Sequence, residues 1–216
     1  MKTYIQFVTL SLLFTVSFGC KTDGGQSGFD YGKVENGKYV NAFFDFEMTI
    51  PVGWSVQSRE QTENLSKIGK DMLTGGDENM KTAIDASQIS SANLLAVFKH
   101  DLRTAVQYNP NIMVIVENLK NAPDIKTGAD YLTNTRNFLK QSQMKHDHID
   151  EAFQQKTIGG AEFYVMNVVV NYGGIQIHQT YYATIQKGFG LVATIAYLND
   201  NEKIELQKAV NSMSFE

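Results

Sequence analysis

Residues 152–198 read AFQQKTIGGAEFYVMNVVVNYGGIQIHQTYYATIQKGFGLVATIAYL, and this stretch decides the fold. Four runs rich in β-branched and aromatic residues follow one another in it: Ala152–Ile158, Gly160–Asn171, Ile175–Gln186 and Phe189–Leu198. Three short pairs separate the runs: Gly159-Gly160, Gly173-Gly174 and Lys187-Gly188. Because connections this short join antiparallel neighbours, we predict a four-stranded meander in the C-terminal third.

Strand-like runs and helices alternate before this meander. Strands are predicted over Phe44–Ile50, Asn93–Lys99 and Ile112–Val116. Helices are predicted over 58–73, with Leu65, Ile68 and Met72 on one face, over Gly128–Gln143 after a Thr127 cap, and after Asn199 or Asp200. A short helical turn is predicted near Asp77–Thr82.

The hairpin connections exclude a parallel doubly wound sheet. They predict an α+β fold in which helices cover an antiparallel sheet. Two sets of side chains alternate on the third meander run: the mainly apolar Ile175, Ile177 and Tyr181, and the more polar Gln176, His178, Thr180 and Tyr182. We expect the first set to be covered by a helix and the second to line an open face or groove.

The N-terminal segment is typical of an export signal that ends at a lipidation site. Lys2 precedes an apolar stretch from Tyr4 to Phe18, and Gly19 then precedes Cys20, the only cysteine. The apolar stretch is shorter than the roughly 20 residues that cross a bilayer. Since Ser17 and Phe18 depart from the usual lipobox, ordinary secretory cleavage at the same position stays open.

These features divide the chain into three parts. Residues 1–19 are predicted to be the signal peptide, and residues 20–36 the lipidated Cys20 with a glycine-rich, flexible tether. Residues 37–216 are predicted to form a single α+β domain. The expected location is the bacterial cell envelope, outside the cytoplasm and anchored to a membrane by lipid, with the outer membrane as one option.

Composition excludes several classes of partner and stabilising element. The formal charge is −4, and the 19 basic residues are scattered. Nucleic-acid binding needs a clustered basic face, and electrostatic membrane binding needs a polybasic patch, so neither is expected. With one cysteine there is no intrachain disulfide.

Few residues have the pattern of a reactive site. His146 and His148, with acidic residues around them, have the composition of a metal site, but a solvated charged loop between a helix and a strand is the favoured interpretation, and no metal is predicted. His178 could act as a base or be a hydrogen-bonded surface histidine. Trp54 could be a recognition residue, but we predict that it belongs to the core. Since no Gly-x-Ser-x-Gly elbow or phosphate-binding loop occurs, we predict no catalytic residue and no cofactor.

A family resemblance follows from the order of elements. A strand that ends in Ile50-Pro51-Val52-Gly53-Trp54, a helix, the glycine-separated meander and a terminal helix ending in Ser212-Met213-Ser214-Phe215 resemble the PsbP-like superfamily. The resemblance covers about residues 38–216. It implies an α/β/α sandwich that serves as a non-catalytic, partner-binding scaffold, as in many bacterial lipoproteins. No residue matches the photosynthetic or Ran-related sites of that superfamily, so those roles are not implied.

The leading functional hypothesis is a non-enzymatic extracytoplasmic lipoprotein that binds a protein or another envelope component. The first alternative is a small-ligand carrier with a pocket between the sheet and the 128–143 helix, near Phe138, Tyr181 and Tyr182. The second alternative is a metal-dependent enzyme built on His146 and His148.

Overall fold

The computed structural model describes residues 29–215; the predicted signal peptide, Cys20 and residues 21–28 lie outside the described residues. The strands are β1 (Lys33–Glu35), β2 (Lys38–Asn41), β3 (Phe46–Thr49), β4 (Ser55–Val56), β5 (Ser91–Phe98), β6 (Asn111–Asn118), β7 (His146–Ile149), β8 (Gln154–Ile158), β9 (Ala161–Tyr172), β10 (Ile175–Gln186), β11 (Phe189–Tyr197) and β12 (Ser214–Phe215). The helices are α1 (Arg59–Thr74), α2 (Glu78–Ser90), α3 (Gly128–Gln141) and α4 (Asp200–Asn211). A 3-10 turn spans Leu119–Asn121.

The larger sheet has eight strands in the order β4-β5-β6-β11-β10-β9-β7, and β8 also pairs with β9. Every pairing in it is antiparallel. The meander from β8 to β11 is therefore confirmed, and so is the α+β class with an antiparallel sheet. The sheet extends beyond the meander, because β11 also pairs with β6.

A smaller sheet joins the two ends of the described chain in the order β1-β2-β3-β12. Phe215 pairs with Phe46, and their rings stack with centroids 5.1 Å apart. The predicted strand over Phe44–Ile50 is present as β3, at Phe46–Thr49.

Residues 29–36 belong to the folded domain, contrary to the predicted tether over residues 20–36. Strand β1 pairs with β2, and the Tyr39 hydroxyl donates a hydrogen bond to the Tyr31 carbonyl at 2.8 Å. The physical reason lies in Phe29 and Tyr31: Phe29 packs against the core, and its ring meets that of Tyr31 edge-on. The packing of these two aromatic rings favours an ordered segment, although the residues around them are glycine and polar residues that favour a flexible one.

The larger sheet has a hydrophobic core on each face. The first core joins one face of this sheet to α4 and the smaller sheet, and includes Phe46, Met48, Val114, Ile195, Leu206 and Val210. The second core lies between the opposite face and α3, and includes Leu132, Leu139, Met166, Val168, Val170 and Ala183. Because the first core contains residues of both sheets, the two sheets share this interior.

Local capping explains where the helices begin. The Ser58 hydroxyl accepts from the Gln61 amide at the start of α1, and Thr127 accepts from Asp130 at the start of α3. The Asn199 side chain caps α4 in the same way. These starts agree with the sequence prediction. None of the helices within residues 29–215 is long and apolar enough to cross a membrane.

The helix predicted over 58–73 is present as α1, but its apolar face is largely exposed, since 55% of the Ile68 surface and 38% of the Met72 surface are accessible. The buried α1 residues are instead Thr62 and Thr74. Helix α2 spans Glu78–Ser90 and is thus much longer than the predicted turn, because it continues along its contacts with α1, β5 and β6 and not along a strong apolar pattern.

The expected open polar face of β10 is also largely wrong. Thr180 and Tyr182 are both buried, and Tyr182 belongs to the core beneath α4. Only Gln176, at the start of the strand, is exposed, while His178 is half-buried. Helix α4 and the smaller sheet cover this face, and the sequence of β10 alone carries no sign of either.

Candidate functional site

The described chain begins with a segment, Phe29–Gly32, that is fixed to β2 by buried polar groups. Asn41 is fully buried, and its Nδ2 donates to the Asp30 carbonyl at 2.9 Å. The Asp30 carboxylate accepts from the Gly32 amide at 2.8 Å and from the Phe43 amide at 3.1 Å. Unpairing a buried polar group is costly, so these bonds define one position for the segment.

Tyr39 completes this attachment. Burial raises the pKa of Tyr39 well above its ordinary value, Asp30 raises it further, and the hydrogen bond with Asn41 offsets only part of the rise. The phenol is therefore a neutral donor to the Tyr31 carbonyl. Gly32 has φ +71°, and a Cβ there would lie 2.4 Å from the Tyr39 hydroxyl, so only glycine lets the segment approach this closely.

An aromatic cluster surrounds the segment. Phe29 lies 6.4 Å, centroid to centroid, from both Phe43 and Phe189, and 5.0 Å from Tyr31. Phe43 is 43% exposed. The Lys187 ammonium lies over the Phe43 ring and donates to Asp45. The cluster thus presents aromatic surface to solvent beside fixed charges, a composition common in protein-binding surfaces.

Tyr31 separates two clefts. The first cleft, of about 190 Å³, lies toward Gln57, and the Arg59 guanidinium lies 4.4 Å above the Tyr31 ring. The second cleft, of about 260 Å³, is lined by Phe29, Phe189 and residues of the turn that follows β6. Tyr31 lines both clefts, so one side chain shapes both.

Strand β5 lines both clefts along one edge of the larger sheet. Residues 93–96 line the first cleft, and residues 90–92, from the end of α2 into β5, line the second. Strand β4 pairs only with Val97 and Phe98, and the Gln57 amide then donates to the Ala96 carbonyl at 2.9 Å. Within residues 29–215, no strand pairs with the outer side of Ser91–Leu95.

The structure does not bring together His146 and His148, the candidate metal ligands of the less favoured interpretation. The two residues belong to strand β7 and not to a solvated loop. A bulge places His146 opposite Val170 and His148 opposite Val169, so the two imidazoles lie on opposite faces of the sheet. Within residues 29–215, no group of three or more His, Cys, Asp or Glu side chains could hold a metal ion.

The surroundings of each histidine are instead structural. His148 Nε2 lies 2.7 Å from Asp150, whose other oxygen accepts from the Asn167 backbone and side chain at 2.8 and 2.9 Å. Burial alone would raise the pKa of Asp150, but these hydrogen bonds outweigh it and lower that pKa. Burial also lowers the pKa of His146. A hydrogen bond with the Met144 backbone raises that pKa, but by a smaller amount.

The half-buried His178 packs on an aromatic ring, and Trp54 belongs to the core. The His178 ring stacks on Tyr197 with centroids 5.6 Å apart. Trp54 is 9% exposed, and its Nε1 donates to Glu205 at 2.8 Å, so the prediction that it belongs to the core is confirmed. The Lys99 ammonium donates to the other oxygen of Glu205 at 2.8 Å.

The pocket predicted near Phe138, Tyr181 and Tyr182 is misplaced. Tyr181 and Tyr182 belong to different cores, on opposite faces of the sheet. The layer between the sheet and α3 is packed with Leu132, Leu139 and the β9 side chains. Both clefts lie instead beside β5, where sequence reasoning had placed no site. The signal that could have found them is the pair Phe29 and Tyr31 within a glycine-rich stretch.

No protein-family model matches the chain, and no curated protein matches it. Among solved structures, cyanobacterial PsbP from Synechocystis is 14% identical, with a TM-score of 0.48 over 92% of this chain and 100% of that one.

Two further solved structures are similar at the same level. LpqN, involved in cell envelope biogenesis of Mycobacterium tuberculosis, is 12% identical, with a TM-score of 0.43 over 78% of this chain and 82% of that one. A Bacteroides thetaiotaomicron protein is 10% identical, with a TM-score of 0.45 over 85% of this chain. The chain spans about half of the Bacteroides protein, 49% of its length.

Proposed function

We propose that this protein is a non-enzymatic, lipid-anchored binding protein of the bacterial cell envelope, and that it binds a protein partner at the two clefts beside Tyr31. The proposal is carried by one observation: Tyr31 lines both clefts. The clefts lie beside strand β5, whose outer side is partly unpaired, and next to the exposed Phe43. Exposed aromatic residues held on a rigid frame are typical anchors of protein interfaces.

The size of the clefts favours a protein partner over a small ligand. Pockets that enclose small molecules usually measure about 300–1,000 Å³. The two clefts measure about 190 and 260 Å³, below that range. Each suits a side chain of a partner better than an enclosed ligand.

The position of the clefts fits an anchored protein. Phe29 lines the second cleft and lies nine residues after Cys20 in the sequence. A chain of that length reaches at most about 30 Å. Lipid on Cys20 would therefore keep the clefts near the membrane surface, within reach of a membrane-bound partner.

One experiment with three variants separates the anchor from the binding site. We expect full-length protein to incorporate labelled fatty acid and to recover a partner from envelope fractions. Cys20→Ser should lose the label and keep the partner. Tyr31→Ala should keep the label and lose most of the partner, by about tenfold, because it removes the side chain that lines both clefts.

Tyr172→Ala is the matched control. Tyr172 is 52% exposed and lies on β9, four strands away from β5. This variant should retain both label and partner. Equal recovery by the Tyr31→Ala and wild-type proteins, at unchanged melting temperature, would contradict the proposed site.

A further inference from the structure

The second cleft combines an apolar lining with a polar one. Its apolar lining includes Phe29, Ala92, Val116 and Phe189. Val116 belongs to the first core, and the other three side chains pack against that core. The apolar lining is therefore held in place by the interior of the domain, so a partner need not order it on binding.

The polar lining includes two side chains that can still donate hydrogen bonds. Lys120 and Asn121 lie in the 3-10 turn that follows β6, and both line the second cleft. The Asn118 side chain accepts from the Lys120 amide at 2.9 Å, which fixes this turn. In the described part of the chain, the side chains of Lys120 and Asn121 make no hydrogen bond or ion pair. An ammonium group and a side-chain amide are thus left as donors for a ligand.

The charge of the second cleft favours an anion. Its lining contains Lys120 and no carboxylate, although the chain as a whole carries a charge of −4. In the first cleft, by contrast, Lys33 and Arg59 are paired with Glu35 and Glu63. The second cleft is therefore the better site for a carboxylate, which binds an ammonium group through charge-assisted hydrogen bonds.

The acidic residue that follows Val116 on β6, Glu117, points away from this cleft. Val116 lies in the first core, so the next residue of the strand faces the opposite side of the sheet. There the Glu117 carboxylate accepts from the Tyr131 hydroxyl of α3 at 2.8 Å and from the Ser90 hydroxyl at 3.5 Å. It does not neutralise Lys120.

The small volume of the cleft limits which part of a protein can fill it. The apolar surface and the two donors line one space of about 260 Å³, so the occupant must bring a carboxylate and an apolar group close together. In an extended segment, an internal acidic residue and its apolar neighbour point to opposite sides. In the last residue of a chain, the carboxylate and the side chain are bonded to the same Cα. A chain end therefore fits this cleft better than an internal segment.

Resting on the proposed function, we infer that the second cleft binds the C-terminal residue of the partner protein, and that this residue is aromatic. Its side chain packs against Phe29 and Phe189, since aromatic rings favour edge-on and offset contacts with one another. Its carboxylate accepts from Lys120 and Asn121. Capture of a C-terminal carboxylate is a recurring mode of peptide recognition.

The test uses the full-length protein in detergent and a fluorescent peptide of about six residues, the usual length of an extended segment, that ends in phenylalanine with a free carboxylate. This peptide should bind, and its C-terminal amide should bind about tenfold more weakly, since a hydrogen bond to a charged group is worth about that factor. The acidic charge of the whole protein would favour the amide, so a preference for the acid reports the local donors. Serine in place of the last phenylalanine should also weaken binding about tenfold.

Lys120→Gln provides the matched change on the protein. It should remove the preference, so that the acid and the amide bind about equally. Lys67→Gln is the control, because Lys67 is an exposed residue of α1 that lines neither cleft and carries the same charge. This variant should keep the tenfold preference.

Three results would overturn the inference. The first is no binding of the acid peptide, or equal binding of acid and amide by the wild-type protein. The second is equally tight binding of an amidated peptide with an internal phenylalanine-glutamate pair. The third is equally tight binding of N-acetylphenylalanine, which would assign the cleft to a small carboxylate. If Tyr31→Ala still loses the cellular partner in these cases, the proposed site stands and only the recognition of a chain end fails.

Discussion

Gly128→Ala is expected to destabilise the protein by about 3 kcal/mol, the upper end of the usual cost of overpacking. Gly128 is the first residue of α3, where a Cβ would lie 2.1 Å from the Ala183 carbonyl oxygen and 3.2 Å from the Tyr164 ring. A backbone atom cannot rotate away as a side chain can. Helix α3 must therefore move off the sheet and lose contacts with the second core.

Gly69→Ala is the control for this change. Gly69 lies within α1, where an added Cβ would have no neighbouring atom within 4 Å and the backbone has no left-handed φ. The substitution should stabilise the protein by about 0.5–1 kcal/mol, since alanine has the higher helix propensity. Urea denaturation measures both free energies of unfolding. A Gly128→Ala protein as stable as the wild type would show that α3 is not packed as described.

The protein is expected to lose stability steeply above pH 10. Burial raises the pKa of Tyr39, Tyr181 and Tyr182, and it raises the pKa of Tyr108 to about 12. For Tyr131 the carboxylate of Glu117 adds to the effect of burial on the pKa. Each phenol keeps its proton in the folded state at a pH where the unfolded chain, with an ordinary pKa near 10, loses it.

The sign follows from proton binding. Above pH 10 the folded state binds more protons than the unfolded state, so the free energy of unfolding falls as pH rises. Each fully buried phenol, such as Tyr39 or Tyr182, should account for about 1 kcal/mol of that loss by about pH 11. Several such groups together approach the roughly 5–15 kcal/mol that stabilise a typical domain.

Urea denaturation between pH 9 and pH 11 measures this loss. Tyr182→Phe is the control, because it removes one titrating phenol and only a long hydrogen bond from Gln207, at 3.5 Å. As pH rises, the free energy of unfolding of this variant should fall less steeply than that of the wild type, because unfolding releases one proton fewer. A free energy that stays constant over this range would contradict the burial of these tyrosines.

The meander was predictable because its determinants are local. Glycine turns fix each hairpin, and β-branched residues fill the strands between them, so pairings such as Tyr182 with Val165 follow from neighbouring sequence. The caps at Ser58 and Thr127 are local as well. By contrast, β12 and β3 lie near opposite ends of the described chain. No local sequence pattern predicts that Phe215 pairs with Phe46.

The candidate site was not predictable, because it depends on contacts between segments that are distant in sequence. His146 and His148 lie two residues apart, a spacing that places side chains on one face of a regular strand, but a bulge places them on opposite faces. The unpaired edge at Ser91–Asn93 exists only because β4 is two residues long, and the sequence did not predict that strand. Phe29 and Tyr31 become part of the site only through Asn41 and Tyr39.

Photo-crosslinking tests the central claim, that a partner binds beside Tyr31, most directly. A benzophenone amino acid in place of Phe43, whose ring lies 5.7 Å from that of Phe189 in the second cleft, reports contact with the site in living cells. We predict a discrete crosslinked product from position 43 and none from Tyr172, a somewhat more exposed position on β9. No product from position 43, or the same products from both positions, would contradict the proposal.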